Sequence, residues 1–164
     1  MRCVVQRVSS GLLEVVSPGS HGGPATDQGA DRRIGRGLVV LAGLEAGDTP
    51  DDCAWMAAKI VDLRIFPDEA GKMNRSVKEI GGELLLVPNF TLAGDARKGR
   101  RPSFDNAMAP GRAALEFAEF VKLTRASGLT VRTGEFGADM LLTLTNEGPV
   151  TIWLDSTDAR RTHG

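Results

Sequence analysis

The sequence predicts a single α/β domain built in layers, and three observations carry that prediction. Apolar runs of strand length outnumber helical ones. The two segments with helical periodicity fall between strands, and turns rich in Gly, Pro, Ser or Asp separate most of the runs. At 164 residues the chain is long enough for one well-buried core and too short for two ordinary domains. The expected organisation is one domain over 1–155, interrupted by a flexible insertion at about 17–33, and a polar, disordered tail over 156–164.

In chain order, Arg2 to Val8 and Leu12 to Val16 read as two strands joined by Ser9-Ser10-Gly11. Ser17 to Arg33 carries glycines, prolines and charges without periodicity, which defines the insertion. Ile34 to Leu44 is again a strand. Thr49-Pro50-Asp51-Asp52 starts a helix, because a hydroxyl at the N-cap, proline at N1 and acids in the first turn all suit the unpaired N–H groups and the dipole there. That helix is expected to run to about Leu63, burying Cys53, Met56, Ala57, Ile60 and Leu63. Glu83 to Val87 is an apolar strand. A second helix, from near Gly111 to Ala126, places Ala113, Ala114, Phe117, Phe120, Val121 and Thr124 on one face and stops at Gly128. Strands follow at Leu129 to Arg132, Met140 to Thr145 and Val150 to Leu154.

Composition narrows the function. A formal net charge of −1 argues against a protein that coats nucleic acid through a global positive field, so any RNA contact must be local. The candidate is Arg97-Lys98-Gly99-Arg100-Arg101, four cations in five residues. No apolar run approaches the roughly 20 residues that span a bilayer, and the N-terminus lacks the layout of a signal peptide, so the expected compartment is the cytoplasm. Cys3 and Cys53 read as small core residues. The two histidines, His21 and His163, lie in the insertion and the tail, and none of the common nucleophile, metal or phosphate-loop motifs occurs. No metal or cofactor is expected. An enzyme made from this chain would have to work through backbone dipoles, positioning and help from its substrate.

Two distant segments are placed for such work. Val87-Pro88-Asn89-Phe90-Thr91-Leu92 leaves an apolar strand with a hydroxyl and backbone N–H groups at its end. Asn146-Glu147-Gly148-Pro149-Val150-Thr151 sets Gly-Pro between two strand-like runs, where an ordinary strand would not tolerate proline. A Gly-Pro bond there can be cis at modest cost, and its carbonyls can then sense the shape of a ligand without side chains.

These segments resemble the signatures of the D-aminoacyl-tRNA deacylases of the bacterial and eukaryotic type, Ser-Gln-Phe-Thr and Asn-x-Gly-Pro-x-Thr. The likeness extends in order through Val5-Gln6-Arg7-Val8, Ile34 to Leu41, Arg64-Ile65-Phe66, Gly71-Lys72-Met73-Asn74, Arg97 to Phe104 and Phe136-Gly137-Ala138-Asp139-Met140. Pro88-Asn89 departs from the usual Ser-Gln, and the stretch from Ser17 to Arg33 is longer than the usual turn.

The resemblance implies a three-layer α/β/β sandwich with a curled, barrel-like sheet, and a tight homodimer. It implies hydrolysis of the ester of D-aminoacyl-tRNA, and of glycyl-tRNA mischarged on tRNA-Ala, to free amino acid and tRNA. The partner would be the aminoacylated 3′ end of tRNA, with no DNA and no membrane. In that reading N–H groups around Phe90 and Thr91 polarise the ester carbonyl, while the carbonyls of Gly148 and Pro149 enter from the partner subunit and exclude an L side chain. The ribose 2′-OH assists. Arg7 would hold the Gly-Pro loop. Asn89, Met73, Phe136, Gly137, Ala138 and Met140 would contact substrate, Phe136 stacking on the terminal adenine, and Arg97, Lys98, Arg100 and Arg101 would meet RNA phosphates. A rival from another class is a dimeric RNA- or acyl-binding module in which Pro88-Asn89 marks lost catalysis.

Overall fold

A computed structural model describes residues 1–16 and 31–161. All but the last three residues of the expected insertion therefore lie outside the described residues.

β1 (Arg2–Val16) is one continuous strand, not two. Ser9-Ser10-Gly11 has the composition of a turn, but a partner strand over Asp139–Asp155 runs alongside both halves, with an irregularity in register between Val8 and Ser10. The expected strand over 34–44 is instead divided at Gly35-Arg36 into β2 (Arg33–Ile34) and β3 (Gly37–Gly43). Helix α1 (Pro50–Asp62) begins as its sequence demands, the Asp52 carboxylate accepting from both the Thr49 N–H at 2.9 Å and the Thr49 hydroxyl at 2.8 Å. A small hairpin, β4 (Phe66–Pro67) with β5 (Met73–Arg75), leads to β6 (Glu83–Pro88) and a 3₁₀ turn, Phe90–Ala93. Helix α2 (Pro110–Arg125), β7 (Val131–Thr133), β8 (Asp139–Asp155) and α3 (Thr157–Arg161) complete the described chain.

The tail is thus more ordered than expected at its start. Ser156 is buried, its hydroxyl accepting from the Met1 ammonium at 2.7 Å, and the Asp155 carboxylate accepts from the Thr157 N–H and hydroxyl at the head of α3. The same ammonium pairs with the buried Asp48. Met1 thereby links Ser156 to the loop before α1.

In the main sheet β1 pairs with β8 on one side and with β3 and β2 on the other, and β3, β6 and β7 continue in parallel. The sheet is nearly closed and barrel-like. Alternation along the central strands splits the interior in two. Leu38, Val40, Leu84 and Leu86 face α1 and α2, while Val39, Leu85 and Val87 face an inner core with Val8, Leu13, Val15 and Ile34. These are the helix layer and two sheet layers of an α/β/β sandwich. Among the described residues no helix is long and apolar enough to cross a membrane, and no cluster of His, Cys, Asp and Glu is arranged to hold a metal ion.

β8 also carries the largest irregularity of the sheet. Between the pairs Gln6↔Thr151 and Val8↔Asn146, β1 advances two residues and β8 five. The surplus bulges out as Glu147 to Val150, so the Gly-Pro segment lies within one strand rather than between two. Proline is tolerated because, among the described residues, β8 is paired on one side only.

Candidate active site

β6 ends beside Ala42 of β3, whose carbonyl accepts the Asn89 N–H at 2.8 Å. Asn89 then caps the 3₁₀ turn: its side-chain oxygen accepts from the Thr91 N–H at 3.2 Å and from the Thr91 hydroxyl. The Thr91 N–H is therefore engaged within the chain, whereas the resemblance implies that it faces the ester. Among the described residues no partner is found for the Phe90 N–H. Phe90 and Thr91 are both exposed. The turn is seated from below on Gly43, where a Cβ would stand 2.8 Å from Leu92 Cβ and 2.9 Å from the Asn89 carbonyl oxygen. From the side, the Arg2 guanidinium donates to the Leu92 carbonyl at 3.3 Å.

Beside the turn opens a cavity of about 370 Å³ with an almost wholly apolar wall. Pro88, Asn89 and Phe90 form one side, and Phe104, Phe117 and Phe136 with Gly137 form much of the rest. Phe90 and Phe104 meet edge to face at 5.1 Å, and Phe117 lies 6.4 Å from Phe136. Gly137, at φ +77°, makes the turn that turns Phe136 toward the wall. Such a slot suits a flat, weakly polar ring.

Gly148 and Pro149 do not line this cavity. They stand exposed on the bulge of β8, joined by a cis peptide bond, with Gly148 at φ +133°. Arg7 supports them from beneath: its Nε donates to the Glu147 carbonyl at 3.0 Å, and its NH1 donates to the Ile65 carbonyl at 2.6 Å. The Glu147 carboxylate is held separately by Arg36 at 3.4 Å. Asn146 closes the bulge, its side-chain oxygen accepting from the Val150 N–H at 2.8 Å and its amide donating to the Val150 carbonyl at 3.1 Å. One chain thus supplies a pocket with a turn and, apart from them, a hydrogen-bonded protrusion.

Other proposed contacts are dispersed. Met73 is exposed on β5, and neither it, Ala138 nor Met140 lines the cavity. Ala138 and Met140 pack partly buried against the inner core. Arg97, Lys98, Arg100 and Arg101 form an exposed loop that leads into Phe104. Residues that the sequence did not single out for the site include Phe104, Phe117 and Gly43. Phe104 follows directly on a basic run and Pro102-Ser103, a possible signal, whereas Phe117 sits at helical spacing and reads as core.

Among the described residues neither cysteine stands ready as a nucleophile. Burial pushes the Cys53 thiol up to about 12 and the Cys3 thiol higher still, so both stay protonated near neutrality. Desolvation raises the Glu45 carboxyl above its ordinary value despite Arg2 beside it. Neither cysteine lines the cavity.

A family model of D-Tyr-tRNA(Tyr) deacylase matches residues 4–155. The chain belongs to the D-aminoacyl-tRNA deacylase family. It is 50% identical over 158 residues to the D-aminoacyl-tRNA deacylase of Paracoccus denitrificans, covering 96% of this chain and 99% of that protein. Among solved structures, a c-Myc DNA unwinding element binding protein superposes with a TM-score of 0.81 at 36% identity, over 94% of this chain and 98% of that one. A structure described as a probable eukaryotic D-amino acid tRNA deacylase gives a TM-score of 0.78 at 20% identity, over the same shares, and bears on the fold alone. Within the deacylase family, Phe90-Thr91 and Gly148-Pro149 are the segments that carried the resemblance.

Proposed function

We propose that this protein hydrolyses the ester bond of D-aminoacyl-tRNA, releasing the D-amino acid and tRNA. The observation that carries the reading is the division of the site: an apolar pocket beside an N–H-bearing turn, with the Gly148-Pro149 protrusion outside it. The terminal adenine fills the slot between Phe136 and the wall around Phe90, which brings the 3′-ester to the Phe90 N–H. As charge develops on the carbonyl oxygen, that N–H stabilises it. Water attacks, oriented by the vicinal ribose 2′-OH, so that no protein base is required.

The Gly148-Pro149 carbonyls act in the pocket of a second copy. There they occupy the space that an L side chain would need, and a D side chain or the hydrogen of glycine avoids it. The dimer this needs forms along β8, which among the described residues has no strand on its outer side and exposes Leu141 and Trp153.

One observation favours the rival. With Asn89 in place, the Thr91 N–H and hydroxyl are both engaged by its side-chain oxygen, as expected of a binding module with weakened catalysis. Deacylation of matched D- and L-tyrosyl-tRNA separates the two: the hydrolase turns over the D ester and spares the L ester. Binding of both without turnover of either would establish the rival.

A further inference from the structure

We propose that the loop 96–102 grips the phosphates of the single-stranded RNA just before the terminal adenosine through Lys98, Arg100 and Arg101, while Arg97 is a brace that takes no phosphate. This rests on the tRNA reading above.

The loop is closed at its foot. Asp95 and Ser103 exchange two backbone hydrogen bonds, at 2.7 and 2.8 Å, as an isolated antiparallel bridge. Inside the closure Arg97 folds back on Asp95: Nε reaches one carboxylate oxygen at 2.9 Å, NH2 the other at 2.6 Å, and the Arg97 N–H adds a third bond at 2.9 Å. This is the two-pronged match of guanidinium and carboxylate, and it uses the face that a phosphate would take. The hydrogen bonds from Arg97 hold the Asp95 carboxyl at about 2, so the partner remains charged at any working pH.

The other three cations differ. Among the described residues no hydrogen bond or ion pair is found for Lys98, Arg100 or Arg101, and all are exposed. Gly99, at φ +72°, makes the turn between Lys98 and the arginine pair. The chain has a net charge of −1 and a Debye length of about 8 Å screens distant charges, so these cations act only on phosphates close to them. Their position decides which. Ser103, at the loop's foot, is followed by Phe104, whose ring forms part of the pocket wall and touches Phe90. The loop therefore stands at the mouth of the slot, where the strand bearing a bound terminal adenosine must pass.

The test is the salt dependence of binding to a fluorescent RNA hairpin with a 3′-CCA end, between about 50 and 200 mM salt. Each of Lys98→Ala, Arg100→Ala and Arg101→Ala should lower the slope of log K against log salt by about 0.7, the increment for one single-strand phosphate contact. Arg97→Ala should leave the slope unchanged. Asp95→Asn, which keeps an acceptor for the Arg97 N–H but frees the guanidinium, should raise it by up to about 0.7. The proposal is overturned if Arg97→Ala lowers the slope as much as the others, or if none of the three does. Turnover of D-tyrosyl-tRNA by the unmodified protein, measured in parallel, keeps the two readings apart: flat slopes with normal turnover overturn the grip alone, and absent turnover overturns the hydrolase reading.

Discussion

The Phe90-Thr91 turn and the Gly148-Pro149 bulge are both short interruptions at strands, yet they are built in opposite ways. The turn leaves β6, a strand buried on both faces, and rests on the backbone of β3 through Gly43 and Ala42. The bulge belongs to a strand that, among the described residues, is paired on one side only, and it is held in place by side chains, chiefly Arg7 and Asn146. A group that must stabilise developing charge gains from a seat with no soft parts. A group that must reject a shape has to protrude, so its rigidity is supplied from behind by hydrogen bonds to its carbonyls. The contrast implies that damage to the turn removes rate and damage to the bulge removes selectivity.

The largest effect should come from the seat of the turn. Gly43→Ala inserts a methyl group against Leu92 Cβ and the Asn89 carbonyl, neither of which can yield without moving the turn. Displacement of order 1 Å costs on the order of 10²-fold in catalysis, so single-turnover hydrolysis of D-tyrosyl-tRNA should fall by that much while circular dichroism stays native. A wild-type rate would mean that the turn is not the seat of catalysis.

Arg7→Ala comes next. It strips donors from the Glu147 and Ile65 carbonyls, at about 1–3 kcal/mol for each group left buried and unpaired, and frees the bulge. The urea midpoint should drop, and the ratio of D- to L-tyrosyl-tRNA hydrolysis should fall roughly tenfold, equivalent to about 1.4 kcal/mol. If stability drops and the ratio holds, the bulge does not select chirality.

The smallest effect is expected at Thr91. Its hydroxyl donates to Asn89 at an exposed position, and an unassisted threonine is a weak nucleophile. Thr91→Val should slow hydrolysis by less than about fivefold, in line with the roughly 1 kcal/mol of one neutral hydrogen bond. Changing the terminal adenosine to its 2′-deoxy form should slow it more. The reverse ranking would make threonine the nucleophile.

How far the sequence was readable depended on whether a feature is local. Thr49-Pro50-Asp51-Asp52 starts α1 as its chemistry requires, and Gly-Pro marked an interruption from sequence alone, although it reads there as a break between two strands and not as a bulge within one. Ser9-Ser10-Gly11 misled because turn propensity was overridden by a partner strand well over a hundred residues away, which no local pattern reveals. The pocket was hidden for a related reason. Phe136 was named through the resemblance, but Leu44, Phe104 and Phe117 join it in the wall from separate elements, and each of these alone resembles an ordinary core residue. The role of Asn89 as a cap for Thr91 was likewise not legible, since only the closure of the 3₁₀ turn brings the amide within reach.

The bulge of β8 has one more consequence. Before it, Met140, Leu142 and Leu144 point into the inner core, and after it Val150, Ile152 and Leu154 point toward the helices, although all six are even-numbered. An odd surplus of residues is what reverses the face between the two runs. The bulge is therefore a gear tooth as well as a probe: adding or deleting one residue would turn one half of the strand inside out. Its reach is locked to the phase of two hydrophobic cores, so natural variation and engineering alike can change the side chains around Gly148-Pro149 far more freely than its length.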